Sequence, residues 1–248
     1  MYPLISIVTP SLNQAAYLEE TILSVLNQSY SNFEYLVMDG GSTDGSMDII
    51  NKYKRYLAQY ESRKDNGQAA AINSGYNLCR GKLFAYLNAD DLLEKNAFEI
   101  IASAFRASPR HGFYYGKCTT IDATGKAIKE AEGGDINFQD LLINGMIPNL
   151  YQPAIFFNRC FLPNHKPFNE SLGFNMDYEL LLRLSKYYSS LFIPEPIAKY
   201  RIHPHAKSSL HKHKMYSEKL KVQWRTAPHL LPLWTWRYSK LILSKMVA

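Results

Sequence analysis

Short apolar runs alternate with amphipathic segments along residues 4–107. The apolar runs predict strands at 4–9, 33–38, 57–62 and 83–87, with Pro10 ending the first. Apolar residues at helical spacing predict helices after Asn13 as a cap, at 44–56, at 66–79 with Asn66 as a cap, and at 92–107. Strands that alternate with helices of this length form right-handed βαβ units, so we expect a parallel sheet.

This regular alternation ends near Gly116. Beyond it the pattern predicts short strands at 119–122, 127–129, 154–157, 191–193 and 197–202, and one amphipathic helix over 177–188. The tail that follows has helical spacing. We therefore expect an α/β domain with a smaller mixed region and a helical C-terminal tail.

Composition adds little to this picture, but the charge is unevenly placed. Hydrophobic residues make up 46% of the 248 residues and charged residues 20%, as in ordinary globular proteins. Nine Lys or Arg and one acid lie in 205–248, so this segment carries +8 and the rest of the chain −2 of the formal +6. Such a tail favours an anionic surface or ligand, and the charge alone leaves both nucleic acid and membrane open.

The end of the tail has a distinctive helical projection. Over 234–247 a narrow polar arc of Arg237, Lys240 and Ser244 faces a wider arc of aromatic and aliphatic residues. This arrangement suits an interfacial helix, and it equally suits packing onto the body or onto a partner in a homodimer. The three cysteines lack metal-ligand or disulfide spacing, and no signal peptide or transmembrane helix is expected, so we expect a reducing, cytoplasmic setting.

Polar residues follow each of the first four predicted strands. The clusters are Thr9-Pro10-Ser11-Leu12-Asn13, the eight residues from Asp39 to Ser46, Asp65-Asn66-Gly67-Gln68, and Asn88-Ala89-Asp90-Asp91. In an open parallel sheet ligands bind at the carboxyl ends of the strands, so these clusters predict one crevice. The second cluster fits neither the dinucleotide fingerprint nor the phosphate-binding P-loop.

Three sets of charged residues are candidates for chemistry. Asp90 and Asp91 could hold Mg²⁺ or Mn²⁺ with the oxygens of a diphosphate, or could cap the helix expected near Leu92. Asp177, at a predicted helix start, could be a general base or a cap, and the helix N-terminus should keep it ionised and weakly basic. The segment 200–209 could bind a diphosphate or a metal, or could be a solvated basic loop.

Together, these motifs resemble those of family 2 glycosyltransferases. The match includes Thr9-Pro10-Ser11-Leu12-Asn13, the run from Met38 to Gly45, Asp65-Asn66-Gly67-Gln68, Asn73-Ser74-Gly75, Asn88-Ala89-Asp90-Asp91, Met176-Asp177-Tyr178-Glu179 and Tyr200-Arg201-Ile202-His203. The resemblance covers about residues 5–209 in the expected order. It implies the GT-A fold, a Rossmann-like and mostly parallel sheet with helices on both faces. It also implies a single domain over 1–209, with a nucleotide-sugar half (1–117), an acceptor half (118–209) and a basic extension (210–248).

The resemblance implies inverting transfer of a sugar from a nucleotide diphosphate donor. Asp177 would be the catalytic base, Asp91 and His203 would bind Mn²⁺ or Mg²⁺, and Asp90 would contact ribose or sugar. The implied donor contacts are Thr9, Pro10, Ser11, Asn13, Asp39, Gly41, Ser42, Asp65, Gln68, Asn73, Asn88, Asp90, Arg201 and Lys207. UDP is favoured by its frequency in the family.

The sequence departs from the family pattern at three places. Met176 stands where an acid commonly precedes the base, Ala70 where many relatives have an acid, and Arg63-Lys64 where Glu-Pro is frequent. Met176 and Ala70 allow a non-catalytic sugar-nucleotide-binding module as an alternative, and the retention of Asp90, Asp91 and Asp177 argues against it. A nucleotidyltransferase is a weaker alternative, because residues 9–14 contain no basic residue to grip a triphosphate.

The implied partners follow from the same resemblance. We expect a nucleotide-sugar donor, a saccharide or lipid-linked saccharide acceptor, and no nucleic acid. We also expect a part in polysaccharide or glycolipid synthesis. If the tail is interfacial, the chain would make peripheral contact with the inner face of the cell membrane.

Overall fold

The computed structural model describes residues 2–144 and 150–230. Its strands are β1 (Ile5–Ser11), β2 (Phe33–Asp39), β3 (Gln59–Ser62), β4 (Leu83–Tyr86), β5 (Leu92–Leu93), β6 (Phe113–Ile121), β7 (Ala127–Glu130), β8 (Ile155–Asn158) and β9 (Ser190–Arg201). Its helices are α1 (Ala15–Leu26), α2 (Ser46–Tyr53), α3 (Gln68–Leu78), α4 (Ala97–Ala107), α5 (Phe138–Asn144), α6 (Met176–Ser185), α7 (Lys207–Leu210) and α8 (Lys212–Thr226).

All described strands belong to one sheet. The order is β3-β2-β1-β4-β8-β6-β9-β5, and β7 pairs with β6. Strands β1 to β4 run parallel, β8 is antiparallel to both β4 and β6, and β9 is parallel to β6. The predicted α/β fold with a mostly parallel sheet is confirmed, and the carboxyl ends of β1 to β4 meet at one edge.

Helices cover both faces of this sheet. Alternate residues of β1 point to opposite sides, so Ile7 packs with α1, α2 and α4 while Val8 packs with α3, α5 and α6. Side chains such as Ile22 and Ile72 are fully buried in these two layers. Burial of each such side chain contributes about 1.5–3 kcal/mol, so the two layers fix the sheet edge where the polar clusters lie.

The first strand continues past the proline predicted to end it. Pro10 lies within β1 opposite Met38. Val8 O accepts a hydrogen bond from Leu87 N on the β4 side, and Pro10, two residues on, faces that same side. Pairing with β4 ends at Val8, so the missing N–H of Pro10 breaks no sheet hydrogen bond.

Several other local predictions were wrong. The segment after Asp91 is the short strand β5, which pairs with β9, and α4 begins only at Ala97. The N-caps of α1 and α3 are Gln14 and Gly67 rather than Asn13 and Asn66, and α5 was not predicted.

The predicted strands at 191–193 and 197–202 are one strand, β9, which pairs with β6 along its length. The pairing continues across the residues between the two predictions because the register shifts near Gly116. There a Cβ would lie 2.3 Å from Ile197 Cγ1, so the backbone approach that carries the shift requires glycine.

The described part of the tail packs against the body. Gln223 Nε2 donates to Leu142 O at 2.9 Å, and Val222 is buried beside α5 and α6. The amphipathic segment 234–247 lies outside the described residues, and the boundary at residue 209 stays a prediction. Within 2–144 and 150–230 no helix is both long and apolar enough to cross a membrane.

Candidate functional site

Asp39 ends β2 and organises the loop that follows it. Its Oδ2 accepts hydrogen bonds from Gly41 N (3.0 Å), Ser42 N (2.9 Å) and Ser62 Oγ (2.6 Å), and its Oδ1 accepts from Ser42 Oγ. Asp39 is 3% exposed. The Asp39 carboxylate therefore joins the ends of β2 and β3. Both the N–H and the hydroxyl of Ser42 are used to bind this carboxylate.

A cavity of about 280 Å³ opens beside this loop. Its lining includes Asp39, Arg63, Lys64, Asp65, Ala70 and Asn73. A Cβ on Gly41, whose φ is +86°, would lie 3.2 Å from Lys64 N, so glycine permits the close approach of the two loops. The structure thus brings the predicted residues Asp39, Asp65 and Asn73 around one concave surface, with Gly41 packed behind Lys64 of its lining.

The residues after β1 have unequal parts in this edge. Thr9 Oγ1 is buried and hydrogen-bonded to Tyr35 OH at 2.9 Å. Asn13 is exposed, and its backbone N–H donates to Ser42 Oγ of the second loop at 2.8 Å. Ser11 Oγ is buried and has no hydrogen-bond partner among the described residues. A buried hydroxyl without a hydrogen-bond partner costs free energy, so Ser11 is the residue of this cluster whose hydroxyl is available to bind a ligand.

Asn73 faces the same cavity, but its amide is engaged. Its Nδ2 donates to Phe168 O (2.8 Å) and Glu170 Oε1 (3.0 Å), and its Oδ1 accepts from Phe168 N (3.1 Å). The side chain is 2% exposed. These bonds hold the segment 168–170 against α3, so Asn73 shapes the wall of the cavity.

The two adjacent aspartates have different surroundings. Asp91 is 1% exposed, and its oxygens accept from Arg201 N (2.9 Å) and Asn88 Nδ2 (3.2 Å). Burial and the neighbouring Asp90 carboxylate hold the pKa of Asp91 well above the usual carboxyl range. The Asp90 side chain is 19% exposed, and its Oδ2 lies 3.0 Å from His203 Nε2. Asp90 therefore faces the crevice, and Asp91 faces the protein.

Arg201, predicted to contact the donor, is enclosed by protein. Its side chain is 1% exposed. Nε donates to Asp90 O at 2.9 Å, one terminal nitrogen to Ala123 O at 3.2 Å and the other to Glu20 Oε2 at 2.5 Å. Its guanidinium also lies 4.9 Å from the centre of the Tyr17 ring. Because every guanidinium nitrogen has a protein acceptor and the side chain is enclosed, Arg201 holds the Asp90-Asp91 turn in place and is not directed into the crevice.

The residues that surround the crevice form a hydrogen-bonded chain. Lys207 Nζ lies 3.4 Å from Gln68 Oε1, and Gln68 Nε2 donates to Asn88 Oδ1 at 2.7 Å. Asn88 Nδ2 also reaches Gln152 Oε1 at 3.2 Å, and Gln152 donates in turn to Tyr86 O at 2.7 Å. The structure therefore places the predicted Lys207, Gln68 and Asn88 together.

Asp177 lies in the first turn of α6, facing the same region. Loss of water raises the pKa of Asp177 to about 6, although Tyr178 N donates to its Oδ1 at 2.8 Å. The charge of Glu218 raises this pKa further, while Lys207 lowers it. The expectation of an ordinary, weakly basic carboxylate was wrong, because desolvation outweighs the helix N-terminus. The charges of Asp177 and Asp91 both raise the pKa of buried Tyr86, so both carboxylates lie near its ring.

Asp90 and His203 could hold a divalent cation. Their Oδ2 and Nε2 atoms are hydrogen-bonded at 3.0 Å, and ligands on adjacent corners of an octahedron with bonds of about 2.1 Å lie about as far apart, so a cation would replace the shared proton. His203 is 3% exposed, and its Nδ1 has no partner among the described residues. Within 2–144 and 150–230 no group of three His, Cys, Asp or Glu could enclose a metal, so further ligands would come from a substrate.

Sequence reasoning missed Gln152 and Glu218. Gln152 is 8% exposed. In the sequence it could have been noticed only as a polar amide next to an apolar run. Glu218 accepts from Gly173 N (2.6 Å), Phe174 N (2.7 Å) and Asn175 N (2.8 Å), which fixes the loop before α6. It was visible only as the single acid of a basic tail.

Comparison with known proteins agrees with this architecture. The chondroitin synthase of Escherichia coli is 30% identical over 186 residues, which are 74% of this chain and 27% of that protein. Staphylococcus aureus TarS in complex with UDP-GlcNAc superposes with a TM-score of 0.71 at 14% identity, covering 88% of this chain and 65% of that one. The mannosyltransferase PcManGT from Pyrobaculum calidifontis, in complex with GDP-Man and Mn²⁺, superposes with a TM-score of 0.67 at 17% identity. This superposition covers 95% of this chain and 69% of that one.

These likenesses confirm the predicted GT-A fold. The chain spans only about a quarter of the length of the chondroitin synthase. The profile of the family described as "Glycosyl transferase family 2" matches residues 6–161, which include the strand-end clusters and Gln152. That match covers well over half of the sequence, and with it the chain belongs to glycosyl transferase family 2.

Proposed function

We propose that the chain transfers a sugar from a nucleotide diphosphate sugar to an acceptor hydroxyl with inversion at the anomeric carbon. The observation that carries the proposal is Asp177, a carboxylate with a pKa of about 6 near the ends of the parallel strands. Such a group is a stronger base than an ordinary carboxylate and is still largely ionised at neutral pH. A UDP-sugar donor and a part in polysaccharide or glycolipid synthesis are supported by the TarS complex and by the chondroitin synthase relative.

The nucleoside would occupy the cavity lined by Asp39 and Asp65. Ser11, whose hydroxyl has no partner among the described residues, lies opposite Asp39 in the sheet and would offer a further contact at its edge. The diphosphate would then extend toward Asp90, His203 and Lys207. Gln68 and Asn88, which are bonded to each other, would orient the donor sugar. Thr9, Ser42 and Asn73 would support these loops rather than touch the donor, since their polar groups already have protein partners.

We assign the cation ligands to Asp90 and His203. When bound, Mn²⁺ or Mg²⁺ would act as a Lewis acid that neutralises charge on the diphosphate. Asp91 would have to give up its bonds to Asn88 and Arg201 before it could ligate a metal. Its part is to hold the turn so that Asp90 faces the crevice.

Asp177 would accept the proton of the acceptor hydroxyl as its oxygen bonds to the anomeric carbon. The bond from that carbon to the diphosphate oxygen breaks on the opposite face, which releases a nucleoside diphosphate and inverts the centre. General-base help of this kind contributes about 10²–10⁴ in rate.

The test is a panel of UDP-, GDP- and dTDP-sugars assayed for nucleotide release, with Mn²⁺, Mg²⁺ and EDTA arms. Release of a nucleoside diphosphate without pyrophosphate, suppressed by EDTA, is expected. Pyrophosphate release would instead indicate a nucleotidyltransferase. Donor binding without any release, across the panel, would indicate a non-catalytic module.

A further inference from the structure

A second cavity, which we call the α8 cavity, lies between α8 and the loop 171–175. Its volume is about 410 Å³. The lining residues that matter here are Leu172, Phe174, Lys214, Glu218, Lys221 and Arg225. No strand-end cluster contributes to it, so it is separate from the cavity beside Asp39.

Three cations line one side of the α8 cavity. Lys214, Lys221 and Arg225 are spaced by seven and four residues, so they share one face of α8. All three are exposed. Among the described residues, no carboxylate lies within ion-pair distance of any of them. The cavity therefore presents three positive charges for which residues 2–144 and 150–230 supply no ion-pair partner.

The one acid in the lining is already committed. Glu218 accepts hydrogen bonds from the backbone N–H groups of residues 173–175. Partial burial alone would raise the pKa of Glu218, but these donors outweigh it and the pKa is lowered. Its carboxylate is therefore directed at the loop, and it leaves the three cations available for a ligand.

The rest of the lining consists of two serines, Ser171 and Ser217, and two apolar residues, Leu172 and Phe174. Leu172 is 7% exposed, and Phe174 contributes an aromatic ring with Lys207 Nζ 5.1 Å from its centre. A concave surface with an aromatic side chain and a few directed charges suits a saccharide that carries anionic groups.

The α8 cavity adjoins the proposed base. Phe174, which lines it, precedes Asp177 by three residues, and Glu218 is close enough to influence the Asp177 carboxylate. We propose that the α8 cavity is the acceptor subsite and that it binds a saccharide bearing carboxylate or phosphate groups. This inference rests on the proposed transferase function, because it orients the acceptor end toward Asp177.

The test measures binding of three fluorescent probes to the full chain by polarisation. One probe is a short oligosaccharide with a carboxylate on alternate residues, the second is the same oligosaccharide after carboxyl reduction, and the third is an oligosaccharide of the same length with a phosphate on alternate residues. The wild type should bind at least one anionic probe, and the preference between them identifies the carboxylate or the phosphate source. The double variant Lys221→Glu/Arg225→Glu should bind that probe at least about tenfold more weakly.

The matched control is Lys129→Glu/Lys212→Glu, which makes the same charge change at two exposed residues outside the lining. It should retain wild-type binding. Equal losses in both double variants, equal binding of the carboxyl-reduced probe, or no binding of either anionic probe would overturn the proposal. So would binding to phosphatidylglycerol vesicles in place of the probes, since that points to a membrane surface.

Nucleotide release from the donor panel, measured in the wild type and the same variants with each oligosaccharide probe supplied as acceptor, separates the two proposals. If release persists while probe binding is unchanged in Lys221→Glu/Arg225→Glu, the acceptor subsite is wrong and the transferase proposal stands. If no donor yields a nucleoside diphosphate, the transferase proposal fails whatever the probes show.

Discussion

The two ends of the described chain build their polar sites by different means. In residues 5–66 the loops bind one another: Asn13 Oδ1 accepts from Thr43 N at 2.9 Å, and Asp44 Oδ2 from Ala15 N at 2.9 Å. The Asp90-Asp91 turn is held instead by Arg201, 110 residues away in sequence, and the start of α6 by Glu218. Motif residues on the nucleotide side therefore build their own loops, whereas the reactive residues depend on distant contacts.

Because other residues hold the reactive side chains in place, replacing a reactive side chain should change the reaction and leave the fold intact. The largest expected effect is Asp177→Asn, which should lower transfer by about 10²–10⁴ because the base is lost. Donor affinity should be unchanged, and folding should not suffer, since a desolvated charge is removed. Steady-state rates and donor titration would measure both.

The matched control is Glu179→Gln, which removes an acid from the same turn of α6. Glu179 pairs with Arg183 at 2.8 Å on the partly exposed side, so its loss should cost little. A large loss of donor affinity in Asp177→Asn, or an equal rate loss in Glu179→Gln, would contradict the base assignment.

The next largest effect should distinguish the two adjacent aspartates. Asp90→Asn should weaken metal-dependent donor binding by at least about 10–100-fold, the cost of losing even an outer-shell partner of a metal. Asp91→Asn should instead lower the free energy of unfolding by about 1–3 kcal/mol, because it puts an amide donor against Arg201 N or Asn88 Nδ2. Calorimetric titration with the donor in the presence of Mn²⁺ would measure donor binding. Denaturant unfolding would measure the free energy of unfolding. The reverse pattern would return the metal to Asp91.

The pH profile should show the environment of Asp177 directly. The base acts only when ionised, so kcat/KM should fall by about tenfold for each pH unit below a pKa of about 6. The residual activity of Asp177→Asn should lack this limb. A limb near the ordinary aspartate range would mean that the carboxylate is solvated in the working enzyme.

The smallest expected effect comes from the distant contact itself. Glu218→Gln removes a negative charge near Asp177, so the acid limb of the profile should move to lower pH. It should also lower the free energy of unfolding by about 1 kcal/mol, since a charged acceptor of three N–H groups becomes neutral. The control is Glu99→Gln, an exposed acid on α4 across the sheet. A profile that stays in place would remove Glu218 from the positioning of the base.

Local patterns determined much of this protein. Apolar periodicity located β1 to β4 and the helices between them, because buried strands and amphipathic helices have periods visible in a short window. The clusters at the strand ends predicted one crevice, because parallel strands must end at a common edge. Those inferences needed no knowledge of how distant segments pack.

Other properties were decided only by the tertiary structure. Which of Asp90 and Asp91 faces the crevice depends on Arg201 and His203, and the burial of Arg201 turned an expected donor contact into a structural clamp. The helix predicted at Leu92 became a strand because β9 offered it a partner. The pKa of Asp177 is raised by desolvation, a property of everything packed around it. Solvation and long-range pairing leave no local pattern in a sequence. The sequence therefore indicated which residue types form the site, but not which role each residue has.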